Sequence, residues 1–425
     1  MKATPRPQLP RPPLLPCLLT SAALLAGCAS PLPTPAPTQP PDGHHRAAPQ
    51  ATAFADWLRS VGDEAIAAGL HPERVRQALG QAELLPRVIE LDRAQPEFTR
   101  QPWTYLDNAV SPQRITQGRA ALAAQQPALQ AAAQRYGVPA AIVTAIWGVE
   151  SNYGQNFGSF STLSALATLG FEGRRQAWAR RELLAALTTI DQGDIAPERM
   201  IGSWAGAMGH TQFLPSVYLA YAVDADGDGR RDIWASVADV AASTAHYLAR
   251  SGWRADEPTL VELQLPPDFD WQQADPAVRQ DSSAWARAGL RGIDASALPP
   301  LADASVLAPA GAQGPALLVG ANFRALLRYN NAINYALAVA LLARQIEGNS
   351  GLQTPWPRSE PALSRPQVQA LQTALNALGL QAGAADGLLG PATSAALRRY
   401  QRSQGLTADG FATRALLERL TASAP

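Results

Sequence analysis

From Phe54 to about Ile346 the chain is patterned almost without a break for helix: Ala-rich segments repeat their apolar residues at three- and four-residue intervals, and β-branched alternation is scarce. Such a stretch has to bury helical stripes against one another, so the fold class expected is mainly α. Polar or Gly-rich loops and a Pro/Asp-rich stretch near 264 to 300 interrupt the pattern, and residues 53–348 read as one large α-rich domain. With 425 residues in all, two or three units are expected. Charge is balanced at 35 basic and 35 acidic residues, which leaves no electrostatic footprint for nucleic acid. Ten Trp and nine Tyr supply flat aromatic faces, used in cores and in sugar-binding clefts alike.

The two cysteines, Cys17 and Cys28, both lie near the start, so disulfides have no part in the mature fold. Arg6 and Arg11 precede an apolar stretch from Leu14 to Ala26 that is too short for a membrane span and is followed by Pro-rich sequence; residues 1–27 read as a secretory signal. Its end, Leu25-Ala26-Gly27-Cys28, resembles the lipobox of bacterial lipoproteins, which implies cleavage before Cys28, acylation of its thiol and amine, and stable membrane attachment. The alternative is an ordinary secretory peptide with an incidental Cys. Ala29 rather than Asp follows, and by resemblance to lipoprotein sorting signals this implies the periplasmic face of the outer membrane. Residues 28–52 are expected to form an extended, mobile tether.

Glu150 ends the apolar run Ala140-Ala141-Ile142-Val143-Thr144-Ala145-Ile146-Trp147-Gly148-Val149 and opens the polar turn Ser151-Asn152-Tyr153-Gly154. At helical spacing it shares a face with Val143, Ile146 and Trp147, so its carboxyl projects where core residues belong. Desolvation there would keep the acid protonated near neutral pH. A cap or a rim ion pair is the other use of such a Glu. Further on, Ser203 with Gly206 and Gly209 describes backbone approaching something closely, either a ligand or another helix, and Gln212 offers both a donor and an acceptor.

After a linker at 349–364, residues 365–421 form a small module that repeats itself. Val368, Leu371, Leu375 and Leu378 make a helical stripe, and Asp386-Gly387 with Thr393 is echoed by Asp409-Gly410 with Thr413, each an Asp-Gly turn before a Thr-capped helix. Leu371-Gln372-x2-Leu375-x2-Leu378-Gly379, Asp386-Gly387-x2-Gly390-x2-Thr393 and Leu397-x2-Tyr400-Gln401 resemble the three-helix peptidoglycan-binding domain found at the ends of cell-wall enzymes. An unrelated three-helix bundle is the alternative.

Trp147-Gly148-Val149-Glu150-Ser151-Asn152-Tyr153-Gly154 resembles the catalytic motif of the lytic transglycosylase B family. Ser203 to Ser216, Val223 to Gly229, Arg328-Tyr329-Asn330 and Tyr335-Ala336 follow as further family-like segments in order. The resemblance implies a lysozyme-like domain that cleaves the β-1,4 bond between N-acetylmuramic acid and N-acetylglucosamine, the muramyl 6-hydroxyl attacking its own anomeric carbon to leave a 1,6-anhydro end. Ordinary glycosidases need two carboxylates; an intramolecular nucleophile leaves work for one, Glu150, as acid and then base. It further implies that Ser203, Gln212, Tyr329 and Asn330 line the cleft, and that Tyr105, Tyr247 and Trp178 stack on sugar rings, each of these three being equally at home in a core. His210-Thr211 departs from the Tyr-Gly frequent in relatives. The partners implied are glycan strands and wall-synthesis proteins, the enzyme itself acting as a monomer.

Asp224, Asp226, Asp228 and Asp232, with Gly229, resemble the first part of an EF-hand loop, but Ala235 stands where a bidentate carboxylate belongs. The loop is either a structural Ca²⁺ site completed by an acid such as Asp239 or a metal-free turn; no cofactor is required for the chemistry. Two rival functions share the sequence: a hydrolytic muramidase, which would need a second, water-orienting acid, and a noncatalytic peptidoglycan scaffold, which would have no use for a Glu closing an apolar stripe.

Overall fold

The computed structural model describes residues 44–93 and 101–422, with side chains from residue 50 onward. The signal segment, Cys17, Cys28 and most of the Pro-rich tract lie outside the described residues. The described chain starts with α1 (His44–Ala67), α2 (Pro72–Gly80), α3 (Pro86–Arg93), α4 (Pro102–Ala109), α5 (Pro112–Ala124) and α6 (Gln126–Tyr136). Pro in the first turn of α2, α4, α5 and α6 pre-sets φ where no N–H is needed. Next come α7 (Ala140–Ser151), β1 (Phe160–Ser161), α8 (Thr162–Phe171), α9 (Gln176–Asp191), β2 (Ile201–Gly202), α10 (Pro215–Tyr221) and α11 (Val237–Arg250), with β1 and β2 paired antiparallel.

The Pro/Asp-rich interruption folds as a small sheet built from β3 (Leu260–Gln264), β4 (Arg291–Gly292), β5 (Ser305–Leu307) and β6 (Ala316–Val319), with α12 (Ser282–Arg287) between β3 and β4. Strand order is β4-β3-β6-β5, antiparallel throughout, with Leu263 opposite both Gly292 and Ala316. Helical patterning hid it because β6 is buried at every position, so its apolar run has no alternation to read. Then come α13 (Ala321–Tyr329) and α14 (Ile333–Ile346), and the terminal module of α15 (Arg365–Ala377), α16 (Pro391–Ser403) and α17 (Arg414–Ala422) around Leu371, Leu375, Leu397 and Leu417. Its internal repeat is structural: Gln372 Oε1 accepts from Gly387 N at 2.9 Å, and Gln401 Oε1 from Gly410 N at 2.8 Å.

α7 organises the large domain. Residues 141–148 are all buried, and a helix that is apolar all round must be covered on every side. Ile142, Val143 and Ile146 join Leu106, Leu248, Phe323 and Leu337 from α4, α11, α13 and α14, whereas Trp147 belongs to a second cluster with Leu163, Leu187 and Tyr218 from α8, α9 and α10. Glu150 thus emerges at the seam between two packed halves.

One boundary differs from expectation. α1 begins at His44, so residues 44–52 are helical and not extended tether. The linker 349–364 is tied down: the Gln353 and Thr354 N–H groups donate to the Glu262 carboxylate at 2.7 Å each, and Arg358 forks onto Asp107 at 2.6 and 2.8 Å. The terminal module is docked as well, through Ala312 N donating to Asp409 Oδ2 at 3.0 Å and Arg398 donating to the Ala274 carbonyl at 2.9 Å. No described helix is long and apolar enough to cross a membrane.

Candidate active site

The end of α7 is bent sharply. Asn152, Tyr153 and Gly154 follow Ser151 in left-handed conformations, at φ 50, 58 and 80°. Tyr153 is a costly residue there, of order 1–3 kcal/mol; its hydroxyl donates to the Arg114 carbonyl at 2.7 Å and its ring stands edge-on to Trp147 at 5.9 Å, which holds the turn. At Gly154 a Cβ would come within 2.4 Å of the His210 ring. His210 therefore packs under this turn, stacked 6.0 Å from Trp147 and held below its usual pKa by burial.

Glu150 itself is only partly buried, facing the seam, yet crowding by its neighbours pushes its pKa up to about 7. The Tyr335 hydroxyl, on α14, lies near enough to stabilise the carboxylate and restrain that rise, although it completes no hydrogen bond of ordinary geometry. The negative charge of Glu150 is felt by Tyr105, pushed up to about 12 chiefly by burial, and by Tyr329 and Tyr335, both raised for the same reason. Three tyrosines from α4, α13 and α14 therefore lie within range of one carboxyl's charge. Tyr247 adds to them, 5.0 Å from Tyr329 ring to ring, with its hydroxyl on the Arg328 carbonyl at 2.5 Å.

The 209–213 loop links the halves. Gln212, left-handed at φ 51°, donates its Nε2 to the Phe157 and Gly209 carbonyls at 2.9 Å each, and the Tyr329 hydroxyl donates to the Thr211 carbonyl at 2.7 Å. Ser203 is buried in a tight turn, its Oγ accepting from Ala207 N at 3.1 Å. The Asn330 Oδ1, Thr211 Oγ1 and Tyr335 hydroxyl are among the buried polar atoms without protein partners, and buried polar atoms are almost always satisfied.

Some expectations are corrected. The close approach required of Gly206 and Gly209 is to the protein's own Leu166 side chain and Ile233 carbonyl, within 2.6 Å of an added Cβ, and not to a ligand. Trp178 is partly buried and packs beside Trp204 and Ala179, with the Arg175 guanidinium 4.7 Å from its ring. In the acidic loop Asp224, Asp226 and Asp239 converge, each offering an oxygen within 4.8 Å of the others. Asp228 and Asp232 do not belong to that group: they accept from Arg230 N, and from Trp234 N and Ala235 N, and so shape the turn. Three convergent carboxylates suit a hard divalent cation, and the buried Asp239 is pushed up to about 6 by desolvation, with the Asp226 charge adding to it. Tyr335, beside Glu150, is a residue that the spacing around Glu150 does not single out; its signal in the sequence is a lone hydroxyl in the aliphatic run of α14.

Comparison with known proteins agrees with this geometry. Residues 53–344 match the family described as transglycosylase SLT domain, and residues 364–420 match a peptidoglycan binding domain. Membrane-bound lytic murein transglycosylase B of Escherichia coli strain K12 is 32% identical over 297 residues, covering 65% of this chain and 79% of that protein. SltB3 of Pseudomonas aeruginosa, solved in complex with NAG-anhNAM-pentapeptide, superposes with a TM-score of 0.83 at 45% identity, covering 87% of this chain and 99% of its own. Escherichia coli SLT35, solved in complex with calcium, gives 0.59 at 30% identity, covering 68% and 92%. The match over residues 53–344, more than half of its length, makes this chain a member of the transglycosylase SLT family.

Proposed function

We propose that this chain is a lytic murein transglycosylase that cleaves the β-1,4 bond between N-acetylmuramic acid and N-acetylglucosamine and leaves a 1,6-anhydromuramyl end. The observation that carries the reading is Glu150 at the seam, held near pKa 7 among tyrosines, with no second carboxylate among the groups acting on it. Protonated Glu150 gives its proton to the departing glycosidic oxygen as the bond from the muramyl anomeric carbon breaks. The resulting carboxylate takes the proton of the 6-hydroxyl as that oxygen closes on the same carbon, which returns the acid for the next cycle. Tyr105, Tyr329 and Tyr247 supply apolar faces with polar tips for the sugars, and Asn330, Gln212 and Ser203 supply hydrogen-bonding groups at the same cleft.

Asp224, Asp226 and Asp239 would hold a calcium ion, whose role is to fasten the turn ahead of α11. The terminal module retains the enzyme on the wall. Cys28 carries the lipid anchor at the periplasmic face of the outer membrane, a reading supported by its leader sequence and by the membrane-bound relative. Digestion of purified peptidoglycan followed by mass spectrometry tests the activity. Products one water lighter than reducing muropeptides, and resistant to borohydride, are expected; reducing ends would mean hydrolysis and overturn it.

A further inference from the structure

We infer that residues 352–358 form a strap that positions α4, and through it Tyr105, against Glu150, so that the segment joining the two domains sets turnover in the cleft; this rests on the reading of Glu150 as acid and base given above. α4 needs such support. It is eight residues long, carries no side-chain cap at its N-terminus, and is too short to hold its shape unaided. Leu106 and Ala109 fix one side of it against the cluster that contains Tyr335 and Leu337.

The strap fixes another side. The Trp356 indole lies 6.1 Å from that of Trp103, and the Arg358 guanidinium forks onto Asp107 at 2.6 and 2.8 Å. Trp103 and Asp107 are four residues apart, hence on one face. Tyr105 is two residues from each and, at about 100° per residue, projects from nearly the opposite side, where it packs against the cluster that contains Tyr335 and feels the charge of Glu150.

Both ends of the strap are anchored. Glu262 on β3 accepts from the Gln353 and Thr354 N–H groups, and Leu352 and Trp356 pack on the same core cluster as Leu106. Past the strap, Arg414 N at the start of α17 donates to Glu360 at 3.2 Å, which ties the segment to the terminal module. An exposed ion pair alone would contribute little. A bidentate pair combined with an indole contact instead restricts the rotation of a short helix, and a shift near 1 Å at a reacting group costs on the order of 10²-fold in rate. Trp356 and Arg358 are thus positioning residues acting through Tyr105.

The test uses full-length Asp107→Arg, Arg358→Asp and the doubly exchanged variant, with kcat and KM measured separately on a soluble glycan oligomer. Each single exchange is expected to lower kcat about 5- to 20-fold, within that 10²-fold range, with KM changing less. The double exchange should recover most of the loss, because the pair is restored in reverse. In a Tyr105→Ala background Arg358→Asp should cost nothing further. Amide hydrogen exchange at 103–109 gives a readout that needs no turnover: faster in each single variant and restored in the double. Unchanged kcat and exchange in the single variants, a loss the double does not recover, or a full additional loss on top of Tyr105→Ala would each overturn the strap. Absence of anhydro products from the wild type, with the exchange pattern as expected, would instead overturn the transglycosylase reading alone.

Discussion

The Tyr335 hydroxyl stands beside the Glu150 carboxyl, buried and without a completed hydrogen bond. It stabilises the charged form of the acid, so it opposes the burial that keeps Glu150 protonated. Tyr335→Phe should therefore push the Glu150 pKa above about 7 and carry the alkaline limb of kcat/KM upward, by no more than about one unit, the ceiling set by a fully formed hydrogen bond. A limb that stays in place would show that the hydroxyl does not act on the acid.

Glu150→Gln fills nearly the same space and transfers no proton, so cleavage should fall by at least about 10²- to 10⁴-fold. Stability should move the other way. The folded pKa of about 7 lies above the ordinary 4.5, so the folded state binds the proton more tightly, and wild-type stability is lost as pH rises from about 4.5 to 7. The amide has no such loss. It should exceed wild type by roughly 1–3 kcal/mol at pH 8 and converge with it below pH 4.5, which denaturant melts at the two pH values would check.

Calcium should raise the melting temperature, with a gain near 2.7 kcal/mol at a concentration about a hundred times Kd. Asp239→Asn should abolish the gain and Asp228→Asn should largely keep it, because only the former belongs to the convergent group. Asp239 titrates at about 6, so protons compete and the calcium effect should fade as pH falls through that value. Calorimetry with calcium and with chelator would decide.

Gly154→Ala puts a Cβ into the His210 ring at a backbone φ of 80°. Strain and overpacking together should cost roughly 2–4 kcal/mol. Gly193→Ala has a similar φ of 85° but open space around it, and should cost only about 1 kcal/mol. Equal losses in the two variants would mean that His210 yields without cost.

Deletion of residues 365–425 should weaken association with insoluble sacculi more than it slows cleavage of soluble oligomers, since the strap ahead of it is retained. Pull-down on sacculi beside a soluble assay separates the two effects.

Periodicity and spacing exposed α7, the placement of Glu150 and the repeat in the terminal module, because each depends on residues close in sequence. What stayed hidden depends on residues far apart. The sheet was invisible because its inner strand is apolar on both faces. Asp239 joins Asp224 and Asp226 only because α11 folds back on the loop, its carboxylate accepting from the Ala225 and Asp232 N–H groups. The glycines at 206 and 209 carried the composition of a ligand site and are used for packing, a distinction set by neighbours that no local pattern contains.

The surroundings that bury Glu150 are drawn from distant parts of the chain: Tyr105 precedes it by 45 residues and Tyr335 follows it by 185 (150 − 105 and 335 − 150). A nascent or partly folded chain holds that same carboxyl in water, ionised at neutral pH, with no proton to donate. The enzyme is thus latent by construction while it is being made, and its reactivity arrives only with the closing of α14 onto α7.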